Sequence, residues 1–188
     1  MTGYEVALFI HLLGAVIIFL AIGISQLGGA RVLRAETVEH IRLWLGLVRT
    51  TQRMWPVAIL FLLGAGIYMT IDVWSFSTPW VAGGLIGLAV MVATGVAVVS
   101  RGFERIATAA GDRDGPPTAD LRRLIRDPRM WVVLSANNGI GIGVVWLMAS
   151  KPGWLATIVV LVAAALIGGS AGYAAVTRSG QAAGAPVD

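Results

Sequence analysis

No cysteine occurs anywhere in the 188-residue chain. That excludes disulfides, thiolate metal sites and cysteine nucleophiles. Lysine occurs once, at Lys151, and histidine twice, at His11 and His40. Charge is scarce: 13% of residues are Asp, Glu, Lys or Arg, against about 25% in an ordinary soluble domain. So few charges cannot cover an apolar content of 57%, which excludes a soluble single domain. No Walker motif, hydrolase triad, zinc motif or nucleic-acid module is present. The net charge of +4 sits on arginines clustered between apolar runs. That pattern points to a membrane surface and not to nucleic acid.

What the chain does have is long apolar runs. Five of them, about 4–27, 55–73, 80–100, 130–149 and 154–176, each come near the roughly 20 residues a helix needs to cross the hydrocarbon core. No alternating strand pattern competes with them, and lipid cannot satisfy an open backbone. The opening "MTGYEV" lacks a basic n-region, so the first run reads as a span and not as a cleaved leader. Residues 1–178 read as a single all-α, polytopic membrane bundle of five transmembrane helices. Residues 179–188, "SGQAAGAPVD", read as a disordered tail.

Arginine sets the orientation. Arg31, Arg34, Arg42, Arg49 and Arg53 separate the first two spans. Seven more, from Arg101 to Arg129, separate the third and fourth, and Arg178 follows the fifth. All lie on one side, and only Lys151 lies on the other. The positive-inside rule makes the arginine side cytoplasmic, giving N-out and C-in in a bacterial inner membrane. Trp74, Trp80, Trp146 and Trp154 mark outer span ends, and Trp55 and Trp131 mark inner ones. In the first inner loop, Val38, Ile41, Leu45 and Val48 recur at helical spacing. This predicts an amphipathic interfacial helix running into the second span with a kink at Pro56. In the second inner loop, Thr118 is placed to cap a short helix through Arg126, ended by Asp127–Pro128.

His11 lies in "ALFIHLLGAV", about 10 Å below the outer surface at 1.5 Å per residue. Its helical face carries small or polar residues such as Ala7, Gly14 and Ser25, whereas Val16, Leu20 and Ile24 lie opposite. Small residues mark helix contacts in membranes, so His11 is expected to face the bundle. An intramembrane ionisable group is a functional candidate, and imidazole ligates both heme and metals. The alternative is a structural hydrogen bond to a neighbouring helix. His40 is no second ligand, because a core about 30 Å thick separates it from His11. A His11–His11 pair across a dimer stays open.

Span four contains "SANNGIGIG". Asn137 and Asn138 are adjacent amides and Gly141 lies on the same groove. They serve either helix packing or a pocket for a flat ligand. Met148 tilts inward and His11 outward, so a His/Met pair suited to low-spin heme or Cu(I) is expected in the outer half. Met69 is a similar metal candidate. Beyond the bilayer itself, a homodimer or a larger membrane complex is open as a partner.

The spacing His11-x-x-Gly14, Arg49 and Arg53 before Trp55–Pro56, "LLGAGIYM" and "WLMASKPGW" resemble an uncharacterised family of predicted integral membrane proteins. That family is distantly similar to the copper resistance protein D family and to the J-type bacterial protoporphyrinogen oxidase. The resemblance implies an up-and-down helical bundle. It also implies heme b at His11, in the place of the oxidase's early helix-one histidine, with Lys151 a candidate second basic residue. The fifth span departs from the oxidase pattern. Copper uptake or transport, and an accessory subunit without catalysis, are the alternative functions.

Overall fold

A computed structural model describes residues 2–182, with side chains to residue 179. Helix α1 (Gly3–Arg34) is opened by a reciprocal cap. The Glu5 N–H donates to Thr2 Oγ1 at 3.3 Å, and the Thr2 N–H donates to Glu5 Oε2 at 2.8 Å. Glu5 is thus a capping residue. Helices α2 (Val38–Gln52), α3 (Trp55–Val73) and α4 (Pro79–Thr94) follow. A π-helical turn, Gly95–Ser100, joins α4 to α5 (Arg101–Ala110). Helices α6 (Ala119–Ile125), α7 (Pro128–Ser150) and α8 (Trp154–Ala182) complete the order. Five helical stretches are long and apolar enough to cross a membrane, as expected.

The helices form antiparallel pairs. α1 packs along α3, and α7 packs along α8 with α4 beside them. Lipid is as apolar as leucine, so burial of side chains gains little within the bilayer and association relies on close packing. Accordingly Leu12, Leu60, Leu155 and Ile167 stay more than half exposed along the spans. The largest buried core lies instead at the arginine-rich end. There α2, α5 and α6 supply Ile41, Leu45, Ile106 and Leu121 to cover Val32, Trp131 and Leu134. Water is available at that end, and removing apolar surface from it is favourable. At the opposite end the packing divides into two smaller groups. One joins Ala7, Ala65 and Met69, and the other joins Trp80, Val81 and Leu147.

The amphipathic α2 buries Val38, Ile41, Leu45 and Val48, as their spacing predicts. Thr118 Oγ1 caps α6 by accepting from the Leu121 N–H, again as predicted. Two expectations, at Pro56 and Trp131, need correction, and two helices run on past the expected spans. Pro56 does not kink a continuous helix: Arg53 and Met54 form a turn, and Pro56 sits in the first turn of α3, where its missing N–H costs nothing. The third span does not end its helix at Ser100. It runs through the π turn to Ala110 because Phe103, Ile106 and Ala110 form a second buried stripe. Trp131 is buried, not a belt residue, and its Nε1–H donates to the Ile125 carbonyl at 2.7 Å. Helix α8 continues through Ala182 into the expected disordered tail, whose residues 183–188 lie outside those described.

Candidate functional site

The α1–α3 contact is built on small residues. A Cβ on Gly14 would lie 2.8 Å from the Leu62 nitrogen and 3.0 Å from the Ala58 carbonyl oxygen. Glycine therefore lets the two backbones meet, as in other small-residue membrane crossings. Nearly one turn before Gly14, His11 lies over Gly66, where a Cβ would come within 3.2 Å of imidazole Cε1 and Nδ1. The imidazole fits because Gly66 has no side chain.

That seat brings His11 Nδ1 to 2.8 Å from the Leu62 carbonyl oxygen. A carbonyl only accepts, so Nδ1 carries the hydrogen. In the neutral ring with its hydrogen on Nδ1, the lone pair resides on Nε2. Nε2 makes no hydrogen bond to protein among the described residues, and it is not fully buried: the one fully buried side-chain N or O atom without a partner among them is Thr157 Oγ1. His11 is half-buried and starts about 12 Å along α1 from Gly3. Its position facing α3 agrees with the small-residue face read from the sequence.

The other candidate residues are distributed unequally. Met69 shares the α1–α3 pair with His11 and is buried beside Ala7 and Ala65. Met148 belongs to the other group, packing with Trp80 and Leu147, and its Cε fills the space left by Gly84 on α4. Asn137 is buried and ties α7 to α4. Its Nδ2–H donates to the Met91 carbonyl at 3.3 Å, and its Oδ1 accepts from Thr94 Oγ1 at 2.9 Å. This tie falls where α4 passes into the π turn. Asn138 is half-buried beside it.

The glycines of α7 are used in packing. A Cβ on Gly139 would collide with the Ala164 carbonyl oxygen, and one on Gly168 with that of Ser135. The α7–α8 backbones thus touch at Gly139 and Gly168. Gly141 faces α1 and α4, with Met91 Cε at 3.4 Å and Ile22 Cδ1 at 3.8 Å from its Cβ position. The room these glycines make is taken by a helix and by side chains.

His40 is exposed at the start of α2. Lys151 adopts a left-handed conformation (φ 50°) after α7. Its Nζ lies 4.6 Å from the Trp74 ring centroid and 5.8 Å from that of Trp80, a cation–π pairing. Among the described residues no three His, Asp or Glu side chains gather into a metal-holding group.

Sequence reasoning did not find Leu62 or Gly66. A backbone acceptor has no residue signature. Gly66 was visible in "LLGAGIYM" only as one of three small residues, and Gly64 opens onto empty space. No curated protein and no solved structure matches the chain. Residues 5–152 do match the family model described as predicted integral membrane protein (DUF2269), a stretch that takes in the His11 seat and the first four apolar spans from Glu5 on but not α8. The chain belongs to that family of integral membrane proteins.

Proposed function

We propose that this membrane protein binds heme b through His11, with Nε2 as an axial ligand in the arginine-poor half of the bundle. The observation that carries the reading is the unpaired Nε2 at membrane depth. A polar nitrogen without a partner is costly in hydrocarbon, and a ligand atom there satisfies it. The residues present fit the group. Ligating histidines almost always donate their other ring N–H to a carbonyl or carboxylate, which fixes the tautomer and raises basicity. His11 does this with Leu62. The chain's part is to hold the imidazole against Gly66. Bound heme would supply one-electron chemistry. The place of His11 early on helix one, which resembles that of the oxidase's histidine, supports the same reading.

A copper uptake role is the second reading, favoured by Met69 in the same helix pair. Thioether and imidazole together suit Cu(I). An accessory subunit without chemistry is the third. We place the arginine-rich end in the cytoplasm of a bacterial cell.

The test is an absorption spectrum of the purified chain after heme supplementation. A Soret band that disappears in His11→Ala, but not in His40→Ala, supports heme. Absence of a Soret band in the wild type overturns it. Copper retained by wild type and lost in both His11→Ala and Met69→Leu supports the second reading.

A further inference from the structure

The arginine-rich end carries a feature that the reading above leaves unused. Between α2 and α5 lies a groove of about 240 Å3, lined by Arg42, Gly46 and Arg49 from α2 and by Ala107, Gly111 and Asp112 across it. At 100° per residue, Arg42 and Arg49 fall within an arc of about 20° on α2. Gly46 lies within about the same strip, and a Cβ there would meet nothing within 4 Å. The floor between the arginines is therefore open.

The two lining arginines differ. Arg42 is committed: it donates to the Gly111 and Arg113 carbonyls at 3.2 and 3.0 Å and pairs with Asp114 at 2.6 Å. It builds the wall. The ion pairs among the described residues are that one and Arg123–Asp120. Arg49 has neither an ion pair nor a side-chain hydrogen bond among them. Its guanidinium is available, and such a fork matches phosphate oxygens in a bidentate manner. Asp112 on the far wall repels an anion toward Arg49.

The surroundings identify the kind of phosphate. Leu43 and Leu47 are 65% and 37% exposed on the next face of α2, an apolar surface that a water-facing helix would not show to solvent. A free phosphate makes no use of them, whereas an acyl chain does. Basic residues at a membrane surface attract anionic headgroups. We propose that the α2–α5 groove seats the phosphate of an anionic phospholipid on Arg49, with its acyl chains reaching the Leu43–Leu47 face.

Native mass spectrometry of the full chain in mild detergent tests this, comparing retention of phosphatidylglycerol and phosphatidylcholine at equal concentration. Wild type is expected to retain phosphatidylglycerol preferentially. Arg49→Gln should lower that preference about fivefold, the value of one basic contact near 1 kcal/mol. Gly46→Leu keeps every charge and adds a good helix former while filling the floor, and it should lower the preference as much. Arg122→Gln removes one charge on α6, outside the groove, and should leave it intact. An equal loss in Arg122→Gln, or no loss in Gly46→Leu, would show general surface charge and overturn the seat. Displacement of the lipid by millimolar inorganic phosphate would overturn the lipid assignment.

Discussion

His11 Nδ1 and the Leu62 carbonyl oxygen are 2.8 Å apart, and that spacing exists because Gly66 leaves room for the ring. The α3 helix thus supplies both the acceptor and the gap. Gly66→Leu should break the contact and lower stability by about 1–3 kcal/mol through overpacking. Gly64→Leu, two residues away in open space, should leave thermal stability nearly unchanged. Thermal unfolding of both variants in detergent decides it, and equal effects would contradict the seat.

The α7–α8 pair depends on backbone contact at Gly139 and Gly168. Valine at either position meets a carbonyl oxygen, which is part of a helix and cannot move aside as a side chain does. We expect Gly139→Val and Gly168→Val each to lower the melting temperature far more than Gly64→Val. In lipid the helices associate through such packing, so loss of the contact should also expose α8 to protease.

Asn137 is a smaller contributor. The one hydroxyl hydrogen of Thr94 has two acceptors in reach, Asn137 Oδ1 at 2.9 Å and the Val90 carbonyl at 2.7 Å; in Asn137→Leu it turns to Val90, and Met91 O keeps the Gly95 N–H. No polar group is left without a partner. The expected cost is about 0.6 kcal/mol and at most about 1.7, the range of interhelical hydrogen bonds in a membrane protein. Chemical unfolding of the variant measures it, and a loss well above that range would point to a role beyond helix association.

Much of this was legible in the sequence, for identifiable reasons. Apolar length gave the five spans, and the spacing of Val38, Ile41, Leu45 and Val48 gave α2. Thr118 marked a helix start and Asp127–Pro128 a helix end through local chemistry. The second buried stripe, Phe103, Ile106 and Ala110, was equally periodic. It was hidden because the arginines around it read as a plain loop. The π turn has no residue signature, and neither does a carbonyl acceptor. Met148 and His11 shared a depth, but depth does not say which helices pair. The pairing of α1 with α3 and of α4 with α7 separated them.

The loop after α5 is docked on α2 by Arg42 and Glu39. The Gly115 N–H donates to Glu39 Oε1 at 3.0 Å, and Val38 N–H donates back to the Gly115 carbonyl at 2.9 Å. Hydrogen bonds from the Glu39 and Gly115 backbone N–H groups and from Thr37, with the Arg42 charge, hold the Glu39 carboxyl below its ordinary range. A lowered folded value means that the docking is present above the ordinary glutamate range and persists below it. It is lost once the pH falls through the lowered value. Hydrogen exchange at Gly115 should follow that course. Arg42→Ala should speed tryptic cleavage after Arg113 about tenfold, the scale of a lost charge-assisted bond.

In the proposed function His11, its Nδ1 hydrogen held by the Leu62 carbonyl, presents Nε2 to a ligand. With two histidines in the chain, 15N-histidine NMR in detergent resolves both rings, and His40→Asn assigns them. We expect His11 in the Nδ1–H tautomer, with an Nε2 resonance that is lost on addition of hemin while His40 is unaffected. A protonated Nε2, or a His11 signal indifferent to hemin and to Cu(I), would contradict the claim.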